Sequence, residues 1–325
     1  MKISVALCTY NGEKFIDQQI DSILNQTLKV DEIIVCDDGS SDRTIEILNQ
    51  YSKNNPNLFK IYQNEQNLRS VRNFEKAIQL CSGDIIFLSD QDDIWVNEKV
   101  EHYISYFDKN PNIKVLASNG YCINEKSEVE EKYSIWDVPQ FLREKKVSFT
   151  YYKLITYISN IATGASMAFK KEIIKEILPF PILKGFHHDE WIAIIASKKN
   201  TFELLNEKYF YYRIHSNQQV GGVFFDKTKQ TKQFLTAIFD IDSFNNSFTE
   251  QKKSAKKLSL AYHRNKDLLK LETQYSYLFE ENLMKIELAF IEMKNKMKKE
   301  HRIKTIVLYV FDRILNKRQL NPKYK

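Results

Sequence analysis

The stretch IIFLSDQDD, residues 85–93, joins an apolar run to three carboxylates within four residues. A short apolar run that ends abruptly is typical of a buried strand, and ligands of open α/β sheets lie beyond the carboxyl ends of strands. Burying so much like charge would be costly, so we expect an open strand end at which Asp90 and Asp92 hold a divalent cation. The competing interpretation is a solvated acidic turn in which Asp93 caps a helix that begins at Ile94.

Strand and helix patterns alternate on both sides of this stretch. Apolar runs predict strands at residues 2–8, 31–37, 59–62 and 84–89, and amphipathic periodicity predicts a helix after each of the first three. This alternation predicts a right-handed, mostly parallel α/β sheet over about the first 110 residues.

The order of elements is less regular after this sheet. Further strands are predicted at residues 113–117, 164–169 and 208–214, with a helix after 187–191 and an irregular, charged segment at 125–147.

Charge is distributed unevenly along the 325 residues. Residues 1–225 carry a net charge of −4, whereas residues 226–325 carry +10 and show long helical periodicities. We therefore predict an α/β domain at 1–225 and a basic α-helical region at 226–325. Such a region fits an anionic lipid surface or nucleic acid, although a charge run is often only a solvated helix face. One apolar stripe is predicted to line these helices: Leu268, Leu269, Leu271, Tyr275, Leu278 and Phe279.

The compartment is inferred from the cysteines and from apolar segments. The four cysteines are isolated, with no spacing that suits zinc, and are interpreted as reduced core thiols. No signal peptide is recognisable. No window approaches the roughly 20 apolar residues that span a bilayer, although residues 305–311 are apolar and flanked by cations. We expect a cytoplasmic protein that contacts a membrane without crossing it.

Four further groups of polar residues follow predicted strands: CTYNG (8–12), DDGSSD (37–42), NLRSVRN (67–73), and HDEW (188–191) together with YRIHSN (212–217). The first two could hold a base and ribose, and the third offers helix amides and cations to a diphosphate. The fourth adds a carboxylate and an imidazole. Each also has a structural interpretation: an Asn-Gly turn, a helix cap at Ser41 or Asp42, a solvated helix start, or a structural histidine.

Taken together, these motifs resemble those of family-2 glycosyltransferases of the GT-A fold. They read VALCTYNGEKFIDQQIDSILNQT, IIVCDDGSSDRT, GDIIFLSDQDDIW, ATGASMAF, HDEW and YRIHSNQ, in the family's order, over about residues 2–220. The DQDD-x-W form and the YRxHxxN ending are most similar to the bacterial rhamnosyltransferase branch. One departure is Leu68-Arg69, where relatives often carry glycine after the asparagine.

The resemblance implies a fold and a set of roles. The fold would be a Rossmann-like, mixed but mostly parallel sheet flanked by helices, with a C-terminal helical extension. Asp189 would be the general base, and Asp92 would bind Mn²⁺ or Mg²⁺ directly. Asp90 would contact ribose or join the metal shell, and His215 would be an additional ligand. The remaining residues implied to bind the nucleotide-sugar are Thr9, Tyr10, Asn11, Asp37, Asp38, Arg69, Arg72 and Gln91, with Asp38 facing the pyrimidine.

The implied activity is inverting, metal-dependent hexosyl or rhamnosyl transfer from a UDP- or dTDP-sugar to a glycan or lipid-linked acceptor of bacterial surface polysaccharide. The basic helices would contact the membrane or pair with a second copy. The main alternative is a non-catalytic, glycosyltransferase-like subunit of a polysaccharide assembly complex. A sugar-nucleotide pyrophosphorylase would need a Gly-rich phosphate loop that residues 10–13 do not supply. Nucleic-acid binding ranks last, because the lysines at 294–304 only partly provide an aromatic-interleaved basic face.

Overall fold

The computed structural model describes residues 1–216, 218, 222–241, 247–315 and 317–320. Its strands are β1 (Ile3–Thr9), β2 (Glu32–Asp37), β3 (Phe59–Gln63), β4 (Ile85–Ser89), β5 (Ile94–Trp95), β6 (Val115–Ile123), β7 (Val129–Glu130), β8 (Lys132–Ser134), β9 (Ala168–Lys170), β10 (Phe202–Arg213) and β11 (Phe224–Asp226).

The helices alternate with the early strands and dominate the last third of the chain. They are α1 (Ile16–Leu24), α2 (Thr44–Asn54), α3 (Arg69–Leu80), α4 (Lys99–Lys109), α5 (Val138–Glu144), α6 (Tyr151–Tyr157), α7 (Ile174–Ile177), α8 (His188–Lys198), α9 (Lys229–Phe239), α10 (Phe248–Leu269), α11 (Ser276–Glu300) and α12 (Arg302–Ile314).

A mixed sheet of nine strands, counted over the described residues, forms the first compact unit, which comprises residues 1–140 and 161–232. Its order is β3-β2-β1-β4-β9-β6-β10-β5, with β7 paired to β6. The strands β3, β2, β1 and β4 are parallel, as are β6 and β10, whereas β9 is antiparallel to both of its neighbours. Every residue of β1, β2 and β4 is buried, as expected of strands covered on both faces. The predicted α/β fold class is confirmed.

The second compact unit comprises residues 141–160 and 233–325. Its core is formed where α10, α11 and α12 pack together around Leu258, Ile286, Phe290, Met297 and Leu308. Among the described residues, no helix combines the length and the apolar character that crossing a membrane requires. The sequence did not indicate that residues 141–160 group with the C-terminal helices, and the predicted boundary at 225/226 stays a prediction.

Two local predictions and one competing interpretation were wrong. Residues 164–166 form a 3₁₀ turn, so that the strand predicted at 164–169 is reduced to β9. The predicted apolar stripe at 268–279 is divided, because α10 ends at Leu269 and α11 begins at Ser276. Asp93 cannot cap a helix, since Ile94 and Trp95 form the short strand β5, which pairs with β10. The four cysteines are free and buried, as predicted.

Candidate active site

The predicted site residues near the N-terminus meet at the carboxyl edge of the parallel strands. Thr9 pairs in register with Asp37, and Leu7 pairs with Ser89, so the loops after β1, β2 and β4 leave the sheet side by side. The Thr9 hydroxyl donates to Asp37 Oδ2 over 2.8 Å. Parallel strand order thus gathers residues that lie 28 to 81 positions apart in the sequence.

Asp37 is fully buried, and its carboxylate organises the loop that follows β2. Its Oδ1 accepts the backbone N–H groups of Gly39 and Ser40 at 3.2 and 2.9 Å, and its Oδ2 accepts the Ser40 hydroxyl at 2.5 Å. These bonds use the acceptor capacity that could otherwise hold a ribose. In this structure Asp37 is therefore a support of the loop.

Asp38 is also buried, and it holds the loop between β3 and α3. Its Oδ1 accepts from Asn64 Nδ2 and the Leu68 N–H at 2.8 and 2.7 Å, and its Oδ2 accepts the Arg69 N–H at 2.8 Å. Arg69 has a φ of +64°. That left-handed conformation is one that glycine adopts without strain, so the bond from the Arg69 N–H to Asp38 stabilises a backbone conformation that is unfavourable for arginine.

The loop after β1 is tied to the acidic loop after β4. The Tyr10 N–H donates to Gln91 Oε1 at 2.8 Å, and Gln91 Nε2 donates back to the Tyr10 carbonyl at 2.9 Å. A Cβ atom at Gly12 would lie 2.3 Å from Gln91 Oε1, so a larger residue there would displace the Gln91 side chain from its bonds to Tyr10. Asn11, with a φ of +48°, accepts the Ser41 N–H at 2.8 Å, and the Tyr10 ring remains exposed.

The two predicted diphosphate arginines differ in their surroundings. Arg72 Nη1 donates to both carboxylate oxygens of Glu75 at 2.7 and 2.8 Å, whereas the Arg69 side chain is exposed at the start of α3. Their predicted contact with diphosphate stays a prediction.

The carboxylates of Asp90, Asp92, Asp93 and Asp189 are close enough to perturb one another. Burial, followed by the charges of Asp92 and Asp189, raises the pKa of Asp90 to about 8. Burial and the charges of Asp92 and Asp90 also raise the pKa of Asp93. Asp93 Oδ1 accepts the Arg213 N–H at 3.1 Å, but its buried Oδ2 has no hydrogen-bond partner. Both carboxyl groups therefore bind protons more readily than a solvated carboxylate does, because their charged forms are disfavoured by burial and by one another.

A divalent cation suits this donor set. Magnesium is commonly bound by one or two carboxylates plus substrate phosphates, and Asp90 and Asp92 supply such a pair. Over the described ranges, no three His, Cys, Asp or Glu side chains form a group that could hold a metal ion. The predicted set of Asp90, Asp92 and His215 therefore stays a prediction, with a bound diphosphate as the source of the remaining oxygens.

His215 contacts the predicted metal ligand directly. Its Nε2 lies 2.9 Å from Asp92 Oδ2, and its ring packs against Phe15 with 5.1 Å between centroids. The Gln218 side chain accepts the His215 N–H at 2.9 Å. Asn217, part of the same sequence motif, lies outside the described residues.

Asp189 occupies the first turn of α8, where the helix dipole stabilises a carboxylate. Its Oδ2 accepts the Gly164 N–H at 3.1 Å, and its Oδ1 accepts the Glu190 N–H at 2.6 Å. Gly164 begins the 3₁₀ turn that leads into Met167, and the Met167 carbonyl accepts the Leu88 N–H of β4 at 2.9 Å, so Asp189 is held close to the strand that ends at Asp90. The charge of Asp189 also contributes to the raised pKa of Asp90. This places the predicted base near the predicted metal ligands.

Sequence reasoning missed three buried polar residues around the site. Lys99 is buried beside Asp90 and Asp93, with Nζ 3.9 Å from the Trp95 ring centroid and 2.9 Å from the Ala165 carbonyl. Nothing in the sequence distinguishes Lys99 from an exposed helix lysine.

Arg213 and His188 both lie in motifs that the sequence analysis quoted, but neither was given a role. Arg213 Nε donates to the Asp92 carbonyl at 2.8 Å, and its guanidinium lies 4.5 Å from the Phe15 ring. His188 stacks on Phe74 at 4.1 Å, and neither ring nitrogen has a hydrogen-bond partner.

The mixed sheet flanked by helices, with Asp90, Asp92 and Asp93 following β4 at the carboxyl edge of its parallel strands, is that of a GT-A-like glycosyltransferase. The model of the family described as glycosyl transferase family 2 matches residues 4–178, more than half of the chain. The chain belongs to this family, and it is a glycosyltransferase.

Two curated relatives and one solved structure illustrate the likeness. The Escherichia coli UDP-Glc:α-D-GlcNAc-diphosphoundecaprenol β-1,3-glucosyltransferase WfgD is 29% identical over 204 residues, 63% of this chain and 73% of that protein. The Shigella flexneri dTDP-rhamnosyl transferase RfbG is 27% identical over 229 residues, 66% of this chain and 74% of that protein. S. aureus TarS 1-349 in complex with UDP-GlcNAc superposes with a TM-score of 0.54 at 19% identity, covering 90% of this chain and 92% of that one. The TarS likeness shows the fold alone.

Proposed function

We propose that the chain transfers a sugar from a UDP- or dTDP-sugar to a hydroxyl of a glycan or lipid-linked acceptor in the assembly of bacterial surface polysaccharide. The reaction is metal-dependent and inverts the anomeric configuration. The observation that carries this proposal is the bond from the Gly164 N–H to Asp189 Oδ2, because residues 164–167 join Asp189 to β4, the strand that ends at the carboxylates of Asp90 and Asp92. A base and a cation-binding pair thereby share one site.

In the proposed reaction, a carboxylate oxygen of Asp189 accepts the proton of the acceptor hydroxyl as that oxygen attacks the anomeric carbon. The bond from this carbon to the diphosphate oxygen breaks on the opposite face, and the nucleoside diphosphate leaves with its electron pair. A bound Mg²⁺ or Mn²⁺ would stabilise that negative charge. The N–H groups of Gly164 and Glu190 fix the Asp189 carboxylate in position, since each donates to one of its oxygens.

The chain's other residues would bind and orient the donor. Thr9, Tyr10, Asn11 and Gln91 line the loops nearest the acidic edge, with the exposed Tyr10 ring available to the nucleoside. Asp37 and Asp38 would act through the loops that they hold, and Arg69 would offer its exposed cation to the diphosphate.

The relatives support both donor classes. RfbG, named as a dTDP-rhamnosyl transferase, favours rhamnose, whereas WfgD, named as acting on a diphosphoundecaprenol-linked sugar, favours UDP-glucose and a lipid-linked acceptor.

The test is a screen of UDP- and dTDP-sugars for Mn²⁺-dependent release of nucleoside diphosphate. We expect one donor to be turned over by the wild type, while Asp92→Ala and Asp189→Asn lose turnover. Asp108→Asn, which changes an exposed carboxylate on α4, is the matched control and should retain activity.

The failing outcomes are also informative. Donor binding that depends on Mn²⁺ but never leads to turnover, even with lipid-linked and glycan acceptors supplied, would favour the non-catalytic subunit. No donor binding at all would contradict the proposal.

A further inference from the structure

The C-terminal helix α12 is fixed to its own unit by one face. Leu308 packs into the core of the helical unit. Asp312, also buried, accepts from Lys294 of α11 at 3.3 Å and forms a second ion pair with Arg318. The Thr305 hydroxyl donates to the Met297 carbonyl at 2.8 Å. These contacts determine which side of α12 turns away from the unit.

The opposite side of α12 is apolar and exposed. Its side chains recur at helical spacing, each is more than half exposed, and together they are named the α12 outer face: Ile303, Ile306, Val307, Val310, Phe311 and Ile314. Scattered exposed apolar residues are normal on a protein surface, but a continuous stripe on one helix marks an interaction site.

Cations flank the α12 outer face. Arg302, Lys304 and Arg313 lie on this helix, and its one carboxylate, Asp312, points inward and is paired. An apolar stripe bordered by Lys and Arg is the pattern of a helix that lies in a membrane interface, where long cationic side chains reach the headgroups. With 13 residues, α12 is about 20 Å long, too short to span a bilayer.

We propose that the α12 outer face docks on an anionic lipid surface, with the helix lying in the plane of the interface. The apolar side chains enter the boundary between headgroups and acyl chains, and Arg302, Lys304 and Arg313 contact anionic headgroups. This inference rests on α12 alone and does not depend on the proposed sugar transfer.

Charge complementarity favours lipid over a second copy of the chain as the occupant. If two α12 outer faces packed against each other, the flanking cations of both helices would line the same seam, and α12 offers no outward carboxylate to pair with them. An anionic lipid surface supplies that opposite charge, at about 1 kcal/mol per cation.

The test is co-sedimentation of the full-length protein with vesicles of phosphatidylglycerol and phosphatidylcholine, compared with phosphatidylcholine alone. We expect the wild type to bind the anionic vesicles more tightly, and Val310→Asp to weaken that binding about tenfold or more. Leu260→Asp is the matched control, because Leu260 is an equally exposed apolar residue on α10. It should leave binding within about twofold of the wild type. The double variant Arg302→Gln/Lys304→Gln should weaken binding roughly thirtyfold.

Thermal unfolding of each variant checks that the fold is retained, as expected for exposed positions. Failure of the wild type to bind anionic vesicles would overturn the inference, as would equal losses in Val310→Asp and Leu260→Asp. Sedimentation equilibrium tests the alternative occupant. If the wild type is a dimer that does not bind vesicles, and Val310→Asp dissociates this dimer, the α12 outer face binds a second copy of the chain instead.

Discussion

Asp92 Oδ2 and His215 Nε2 lie 2.9 Å apart, although 123 positions separate the two residues in the sequence. The contact exists because the end of β10 is bonded to the acidic loop after β4. The Arg213 N–H donates to Asp93 Oδ1 at 3.1 Å, and Arg213 Nε donates to the Asp92 carbonyl at 2.8 Å. The position of His215 relative to Asp92 thus depends on the bonds between the end of β10 and the loop after β4.

If His215 binds the metal or supports its ligands, loss of the imidazole should weaken metal binding more than donor binding. His215→Ala is expected to raise the Mn²⁺ concentration that gives half-maximal activity by about 10- to 100-fold. The measurement is a Mn²⁺ titration of activity at saturating donor. The matched control is His102→Ala, since His102 is exposed on α4. An unchanged Mn²⁺ requirement in His215→Ala would restrict His215 to a structural role.

Lys99 should stabilise the folded protein next to the carboxylates of Asp90 and Asp93. Lys99→Met removes the buried amine that donates to the Ala165 carbonyl at 2.9 Å and lies over the Trp95 ring, and we expect the free energy of unfolding to fall by about 1 to 3 kcal/mol. Urea unfolding measures this change. Lys208→Met is the control, because Lys208 also lies over an aromatic ring, 5.0 Å from the Tyr121 centroid, but away from the acidic cluster. Lys208→Met should lower the free energy of unfolding by about 0.5 kcal/mol or less. Equal losses in the two variants would contradict a stabilising role of the buried Lys99.

His188 should make stability depend on pH. Burial lowers the pKa of His188 from 6.5 to about 4. Between these values the unfolded chain binds a proton that the folded protein does not, so the free energy of unfolding falls as the pH falls from 6.5 to 4, by about 3 kcal/mol.

The corresponding measurement is urea unfolding at several pH values in that range. His188→Leu, which keeps an apolar contact with Phe74, should lose this part of the pH dependence. His102→Leu, at an exposed position, should retain it. Parallel pH profiles of the wild type and His188→Leu would show that His188 does not titrate as described.

Asp38 should affect donor binding through the loop that it holds. Asp38→Asn places an N–H donor near the N–H groups of Leu68 and Arg69, so we expect the free energy of unfolding to fall by about 1 to 3 kcal/mol. We also expect a higher KM for the donor. Asp31→Asn is the matched control, because Asp31 accepts the Ile3 N–H at the other end of the sheet. It should lower stability without changing KM, and a KM change common to both variants would remove the specific role of Asp38.

Much of the fold could be predicted, because β1, β2 and β4 are continuous apolar runs followed by polar loops. Once these strands are parallel, the grouping of Thr9, Asp37 and Asp90 at one edge follows from geometry. The sequence could not show that the carboxylates of Asp37 and Asp38 accept hydrogen bonds from neighbouring loops. Two aspartates after a strand are equally consistent with ligand binding and with such a supporting role.

Other features depend on contacts that no local pattern carries. The burial of Lys99 comes from the packing of α4 against Trp95 and Ala165, and neither local periodicity nor charge distinguishes this lysine. The apolar stripe predicted at 268–279 failed because a turn between α10 and α11 interrupts it. Residues 141–160 join the helical unit through bonds such as the one from Asn265 Nδ2 to the Thr156 carbonyl at 2.9 Å.

If Asp189 acts as the base beside a cation held at Asp92, the variant Asp189→Asn should separate donor binding from turnover. Mn²⁺-dependent binding of the donor is measured by calorimetry, and release of nucleoside diphosphate is measured with the acceptor present. We expect Asp189→Asn to bind the donor with an affinity close to that of the wild type and to turn it over about 10²-fold more slowly, or slower still. Wild-type turnover in Asp189→Asn would contradict it.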